Sequence, residues 1–292
     1  MYVHFLGGAI MLMCLRFPGG KKKALTFSYD DGVEQDARLI SIFNKYNLKC
    51  TFNINGFHLL DEERTYPDGA YHRPMARRAA LELYGGEAGK NHEIALHSFS
   101  HPFLDKLNME LMSYEMVKDR EVLESTFDRI IKGSAYPMGT FSDETVHVLK
   151  TVGVKYARTV ESTRTFKIPT DWLRMPSTCH HNDPEIFNLA DKFVNGTPDN
   201  FTPAWLFYVW GHSYEFDLHN NWDRIEIFCD KVANRDDVWY ATNMEIYDYV
   251  QAYNSLEFSI DGSRVYNPSN QTVWFHYGKD VCVLPGETKK FR

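Results

Sequence analysis

"ALTFSYDDGVEQD", residues 24–36, runs from an apolar stretch with the character of a buried strand into two adjacent carboxylates, Asp30 and Asp31, and then Gly32. Like charges side by side at a strand end repel and resist burial, so a counter-charge is required. A metal ion supplies one. An Asp-Gly turn with both carboxylates in water is the plainer alternative.

Outward from this stretch, β-rich apolar runs alternate with helical patterns. "ALTFS" (24–28) precedes "DARLISIFNKY" (36–46), where Leu39, Ile40, Phe43 and Tyr46 recur at helical spacing. "KCTFNI" (49–54), "EIALH" (93–97), "IIKGSAY" (130–136), "VKYAR" (154–158), "WLFYVW" (205–210) and "VWYA" (238–241) read as further strands. Helices are expected around 75–84, 109–127, 143–151 and 222–233. Ser142 serves as an N-cap, Asp183-Pro184 and Gly196 bound another helix, and Thr242-x-x-Glu245 forms a capping box. About seven strand–helix units result, which predicts parallel strands with helical crossovers in an open sheet or a closed barrel. After residue 255 short alternating strands and turn signals ("DGS", "NPSN", "PGE") indicate a small β appendage.

In such folds the chemistry gathers where strands end. Polar residues do follow the strands: Asp30 and Asp31 the first, His97 the third, the Pro137 segment the fourth and His212 the sixth. The sharpest signal is "HSFSH" (97–101), two histidines at i and i+4. In a turn of helix both rings reach one ion, and a third ligand from the Asp30-Asp31 pair completes a two-His, one-carboxylate site with open positions. A pair of hydrogen-bonded core histidines is the competing reading.

Composition narrows the partners. With 292 residues, 43% hydrophobic, the chain can bury a large core, and a net charge of -7 argues against binding nucleic acid or anionic membranes. Five dispersed cysteines form no C-x-x-C, so neither a disulfide framework nor a cysteine zinc site is indicated. The apolar stretch 5–15 lacks a basic region before it and a small-x-small site after it, and is too short to span a bilayer. A cytoplasmic location is expected, with a degenerate export signal as the alternative.

"SYDDG" with "HSFSH" resembles the first two signatures of the polysaccharide deacetylases, carbohydrate esterase family 4. The resemblance implies a distorted, incomplete (β/α)7 barrel over residues 22–253, after an N-terminal extension (1–21) and before the appendage (254–292). It implies Asp31, His97 and His101 as metal ligands and Asp30 as general base. Later signatures match less well. "AYPMG" (135–139) keeps Pro137 but has Ala135 where the family's arginine stands and Met138 where an aromatic stands; the Met138 amide remains available as an oxyanion donor, a role that needs no side chain. Arg158 and Arg174 are candidates to replace the arginine. "DWLR" (171–174) supplies Asp171, with Ile168 in place of a further aspartate, and "VWGH" (209–212) supplies His212. His212 is the implied general acid and Asp171 its partner, with Trp172 and Trp210 as sugar-stacking faces or core residues. "CHHND" (179–183) is a second histidine cluster.

The implied activity is removal of N- or O-linked acetyl groups from a saccharide, assisted by zinc or, with the same donors, cobalt, nickel or iron. Two alternatives stay open: hydrolysis of a non-sugar amide or cyclic amide, and a non-catalytic carbohydrate-binding relative.

Overall fold

The computed structural model describes residues 3–6 and 9–291, and side chains from residue 13 onward; the apolar stretch 5–15 thus lies partly outside the described residues. Nine strands form the central sheet: β1 (Lys23–Asp30), β2 (Cys50–Ile54), β3 (Glu93–Leu96), β4 (Gly133–Ala135), β5 (Tyr156–Ser162), β6 (Met175–Ser177), β7 (Cys179–His180), β8 (Trp205–Gly211) and β9 (Val238–Tyr240). Their order is β7-β8-β1-β2-β3-β4-β5-β6, every pairing is parallel, and β9 pairs with the start of β1. All eight residues of β1 are buried, as expected of a strand covered on both faces.

The sheet curls into an incomplete barrel. Its two terminal strands, β6 and β7, are separated in sequence by Thr178 alone, and no ladder joins them among the described residues. Neither is expected from the sequence, since MPS and CH, unlike the other strands, lie in no apolar run. Apart from β5 to β6 and β6 to β7, the crossovers are helical, and α8 follows the last strand: α1 (Asp36–Lys45), α2 (Arg77–Tyr84), α3 (Met109–Phe127), α4 (Asp143–Thr151), α5 (Ile186–Asn195), α6 (Tyr214–Leu218), α7 (Trp222–Val232) and α8 (Asn243–Asn254). In α1 Leu39, Ile40 and Phe43, which stand at helical spacing, are buried, and Ile42 is buried with them. Ser142 accepts from the Thr145 amide and Thr242 from the Glu245 amide, so α4 and α8 begin where their caps predict. Among the described residues no helix is long and apolar enough to cross a membrane.

Beyond α8 the chain forms short antiparallel strands. One of them, Val273–His276, pairs with Cys14–Arg16, so the N-terminal segment and the appendage share a sheet. This layer lies away from the carboxyl ends of the barrel strands. At those ends Asp30, His97, Ala135 and His212 come together.

Candidate metal centre and active site

The end of β1 turns sharply. Asp31 has φ +77° and Gly32 φ +63°, and a Cβ at Gly32 would stand 2.9 Å from the Ile54 side chain. Consecutive residues of a straight strand face opposite sides. The left-handed turn cancels that alternation, and both carboxylates face the barrel mouth, Asp30 2% and Asp31 7% exposed.

His97 and His101 meet Asp31 by a different route from the expected helical turn. Residues 97–101 are irregular, with Ser98 at φ +55° and His101 at φ +59°, and the two rings lie 4.8 Å apart. The loop is held from α3: Asp119 accepts from the Gly56 and His97 amides, and Glu115 accepts from the Ser100 amide and hydroxyl. The i, i+4 spacing was informative, but local hydrogen bonding sets its conformation.

Donor chemistry then tests whether an ion fits. The buried Oδ1 of Asp31 has no hydrogen-bond partner and lies 3.5 Å from Nε2 of both His97 and His101. His97 donates Nδ1–H to the Ala135 carbonyl at 2.9 Å, and burial pulls it down to about 4, so it is neutral with a bare Nε2 lone pair. A lone pair facing a carboxylate oxygen is repulsive unless a cation lies between them. Ligands at bonds of about 2.1 Å in a tetrahedron stand about 3.4 Å apart, close to the spacing seen. The donor set fits a divalent ion.

Asp30 is the spare carboxylate. Asn53 donates to its Oδ1 at 2.8 Å, and the wholly buried Arg158 donates Nη2–H to its Oδ2. Burial works against its charge, yet Arg158, with His212, holds its carboxyl below the usual range. Arg158 stands in β5 directly opposite Ala135 of β4 in the register. The guanidinium missing from position 135 is thus supplied one strand across, from one of the two candidate arginines. The other, Arg174, pairs with Asp143 and Asp171 at the surface.

The expected His212–Asp171 pair is not present. Asp171 caps the turn 172–174 through the Leu173 amide and pairs with Arg174 at 2.8 Å, a local arrangement that keeps it exposed. His212 instead donates Nδ1–H to Glu215 Oε1 at 3.0 Å, from the first turn of α6. Its Nε2 faces Asp30 Oδ2 at 3.8 Å. Burial opposes its charge, but the Glu215 hydrogen bond and the Asp30 and Asp31 carboxylates push it up to about 8. The signal was in the sequence as His-x-x-Glu, residues 212–215.

The second histidine cluster belongs to this same arrangement. His180 and His181 lie 3.3 and 2.9 Å from Glu215 Oε2, and His180, His212 and Glu215 are close enough to suit a cation. However, the Asn182 amide donates to Nδ1 of His180, which places that ring's proton on Nε2, the atom facing Glu215. A protonated nitrogen is no ligand. Contacts from His181 and His212 hold Glu215 below the usual carboxylate range against its burial.

Neither tryptophan offers a stacking face at the centre. Trp210 is 8% exposed, with the Arg158 guanidinium 4.2 Å over its ring and His180 at its edge. Trp172 packs edge-on to Tyr247 and lines an apolar cavity of about 670 Å³ with Phe166 and Trp205, near the amino ends of the strands. Met138 follows Ala135, whose carbonyl orients His97, by three residues and sits in a left-handed turn (φ +56°).

Residues 18–157 match the family model described as polysaccharide deacetylase. The resemblance carried by SYDDG and HSFSH is borne out. Among curated proteins none matches the chain. A Mycobacterium smegmatis protein assigned to the polysaccharide deacetylases is 18% identical, covering 82% of this chain and 94% of its own, with a TM-score of 0.58, and shares the fold. Streptococcus pyogenes deacetylase PplD, solved with acetate, is 20% identical over 46% of this chain (TM-score 0.38); the match spans 55% of that relative's length. BA3943 of Bacillus anthracis, described as a family 4 pseudoenzyme, is 16% identical over 80% of this chain and 68% of its own, with a TM-score of 0.47.

Proposed function

We propose that this chain is a metal-dependent deacetylase acting on an acetylated carbohydrate. The observation that carries the reading is Asp31 Oδ1, buried, unpartnered and facing two imidazole nitrogens at 3.5 Å, with a second carboxylate beside it. Asp31, His97 and His101 would hold zinc, with cobalt, nickel and iron as ions of the same donor preference. When bound, the ion polarises the acetyl carbonyl and lowers the pKa of water from 15.7 toward about 7.

The residues divide the remaining work. Asp30, ionised and fixed by Arg158 and Asn53, accepts the proton of the attacking water. The Met138 N–H is the donor proposed for the tetrahedral oxyanion. His212, protonated because Glu215 takes its Nδ1–H, delivers a proton from Nε2 to the departing amine or alkoxide. Two histidines thus acquire opposite duties from their partners: a neutral carbonyl leaves His97 a ligand, whereas a carboxylate makes His212 an acid.

Zinc-loaded protein should release acetate from acetylated oligosaccharides, measured by an enzyme-coupled acetate assay. Asp30→Asn should lower the rate by about 10²–10⁴-fold while retaining one equivalent of metal. Sugar binding without acetate release would favour the non-catalytic alternative. Turnover of cyclic amides in place of sugars would move the substrate class but keep the chemistry.

A further inference from the structure

The two oxygens of Asp31 have different fates. Oδ1 is unpartnered and faces His97 and His101, whereas Oδ2 lies 3.1 Å from Nε2 of His72. Since a carboxylate only accepts, His72 carries its proton on Nε2 and donates it. His72 belongs to residues 61–76, a stretch between β2 and α2 without the periodicity of strand or helix.

That stretch is pinned to the residues that follow Asp31. The Glu34 amide donates to the Arg73 carbonyl at 2.8 Å and the Met75 amide to the Gly32 carbonyl at 2.9 Å, around a bridge between Val33 and Pro74. Gln35 donates through Nε2 to the Tyr71 carbonyl at 2.5 Å, and Arg73 donates to Glu34 at 2.7 Å. Both chain neighbours of His72 are therefore tied to residues 34 and 35. The ring also meets Tyr214 edge-on at 5.1 Å. A half-exposed histidine held from three sides is not a chance surface contact.

We propose that His72 is a positioning residue of the metal centre, occupying Asp31 Oδ2 so that Oδ1 alone is presented to the ion. The inference rests on the reading that Asp31, His97 and His101 hold a cation. Hydrogen bonds to a ligating carboxylate fix its orientation, and losing such a partner weakens metal affinity by about 10–100-fold. Without His72, Asp31 gains rotational freedom, and holding Oδ1 on the ion costs conformational entropy.

The test uses the full chain stripped of metal and titrated with zinc and cobalt against a chromophoric chelator. Wild type should bind one equivalent, and His72→Ala one equivalent with affinity about 10–100-fold lower. His72→Gln, whose amide N–H can reach the same oxygen, should recover part of the loss, and the visible spectrum of saturated cobalt protein should be common to all three. Unfolding of the metal-free proteins, followed by circular dichroism, identifies a folding defect, in which case His72→Gln against wild type decides. Equal affinities overturn the inference, and so does an altered cobalt spectrum in His72→Ala, which would make His72 a ligand. Failure of the wild type to bind either ion overturns the underlying reading as well.

Discussion

The two halves of the barrel supply the site in different ways. Residues 18–157, the segment that matches the family model, contribute Asp30, Asp31, His97 and His101, with the proposed ligands in two short motifs at the ends of β1 and β3. The second half begins at Arg158 and contributes the groups that set protonation: Arg158 on Asp30, and Glu215 on His212. Its partners differ from those the family signatures implied. Metal ligation demands particular atoms at fixed spacing, while a charge that tunes a neighbour can come from any strand that reaches it. The first half is therefore constrained in sequence and the second only in space.

Removing Arg158 tests this contrast most severely. Arg158→Ala leaves a buried carboxylate without its cation, which typically costs about 3–5 kcal/mol of stability. The sign with pH follows from Asp30. In the wild type its depressed folded value contributes stability that is present above the unfolded value and lost as pH falls through the folded one. In the variant, burial dominates and raises the folded value, so the deficit should shrink on acidification. Denaturant unfolding across pH 4–8 reads this directly. Adding Ala135→Arg from the facing strand should restore part of both stability and acetate release. A double variant no better than the single would break the claim that the guanidinium can act from either strand.

The difference between the halves also explains what the sequence disclosed. Strands and helices were legible where period and caps act locally, as in α1 and at Ser142 and Thr242. The donor set was legible because HSFSH and the paired aspartates are contiguous. Arg158 was visible as a candidate but not assignable, because the register of Ala135 against Arg158 is a tertiary fact. Glu215 stands three residues from His212, but the DWLR resemblance implies Asp171 as the partner, and only the turn into α6 brings Glu215 to the ring. His72 lies in a stretch without period, and only the Val33–Pro74 bridge brings it to Asp31.

A smaller effect should come from Glu215→Gln. With His212 pushed up to about 8, the acid is present below that pH and lost above it, so kcat/KM should decline on the alkaline side of about 8. A hydrogen bond to a charged group is worth about 1.5–3 kcal/mol, so losing the carboxylate should lower the imidazolium fraction above the limb about ten- to a hundredfold. The limb should move to lower pH, with metal stoichiometry unchanged at one. A limb that stays in place would show that Asp30 and Asp31 alone sustain the charge on His212.

Asp171 supplies the matched control, and the smallest change. It caps a surface turn and pairs with Arg174, so Asp171→Ala should cost about 1 kcal/mol through the lost cap, with little from the exposed ion pair. Asp171→Asn, an equally good cap, should recover most of that loss. Because Asp171 lies outside the hydrogen bonds around His212, neither change should shift the alkaline limb of kcat/KM. A shift comparable to that of Glu215→Gln would place Asp171 beside the acid during turnover. The second half would then obey the family signature after all, and its contrast with the first would be one of conformation.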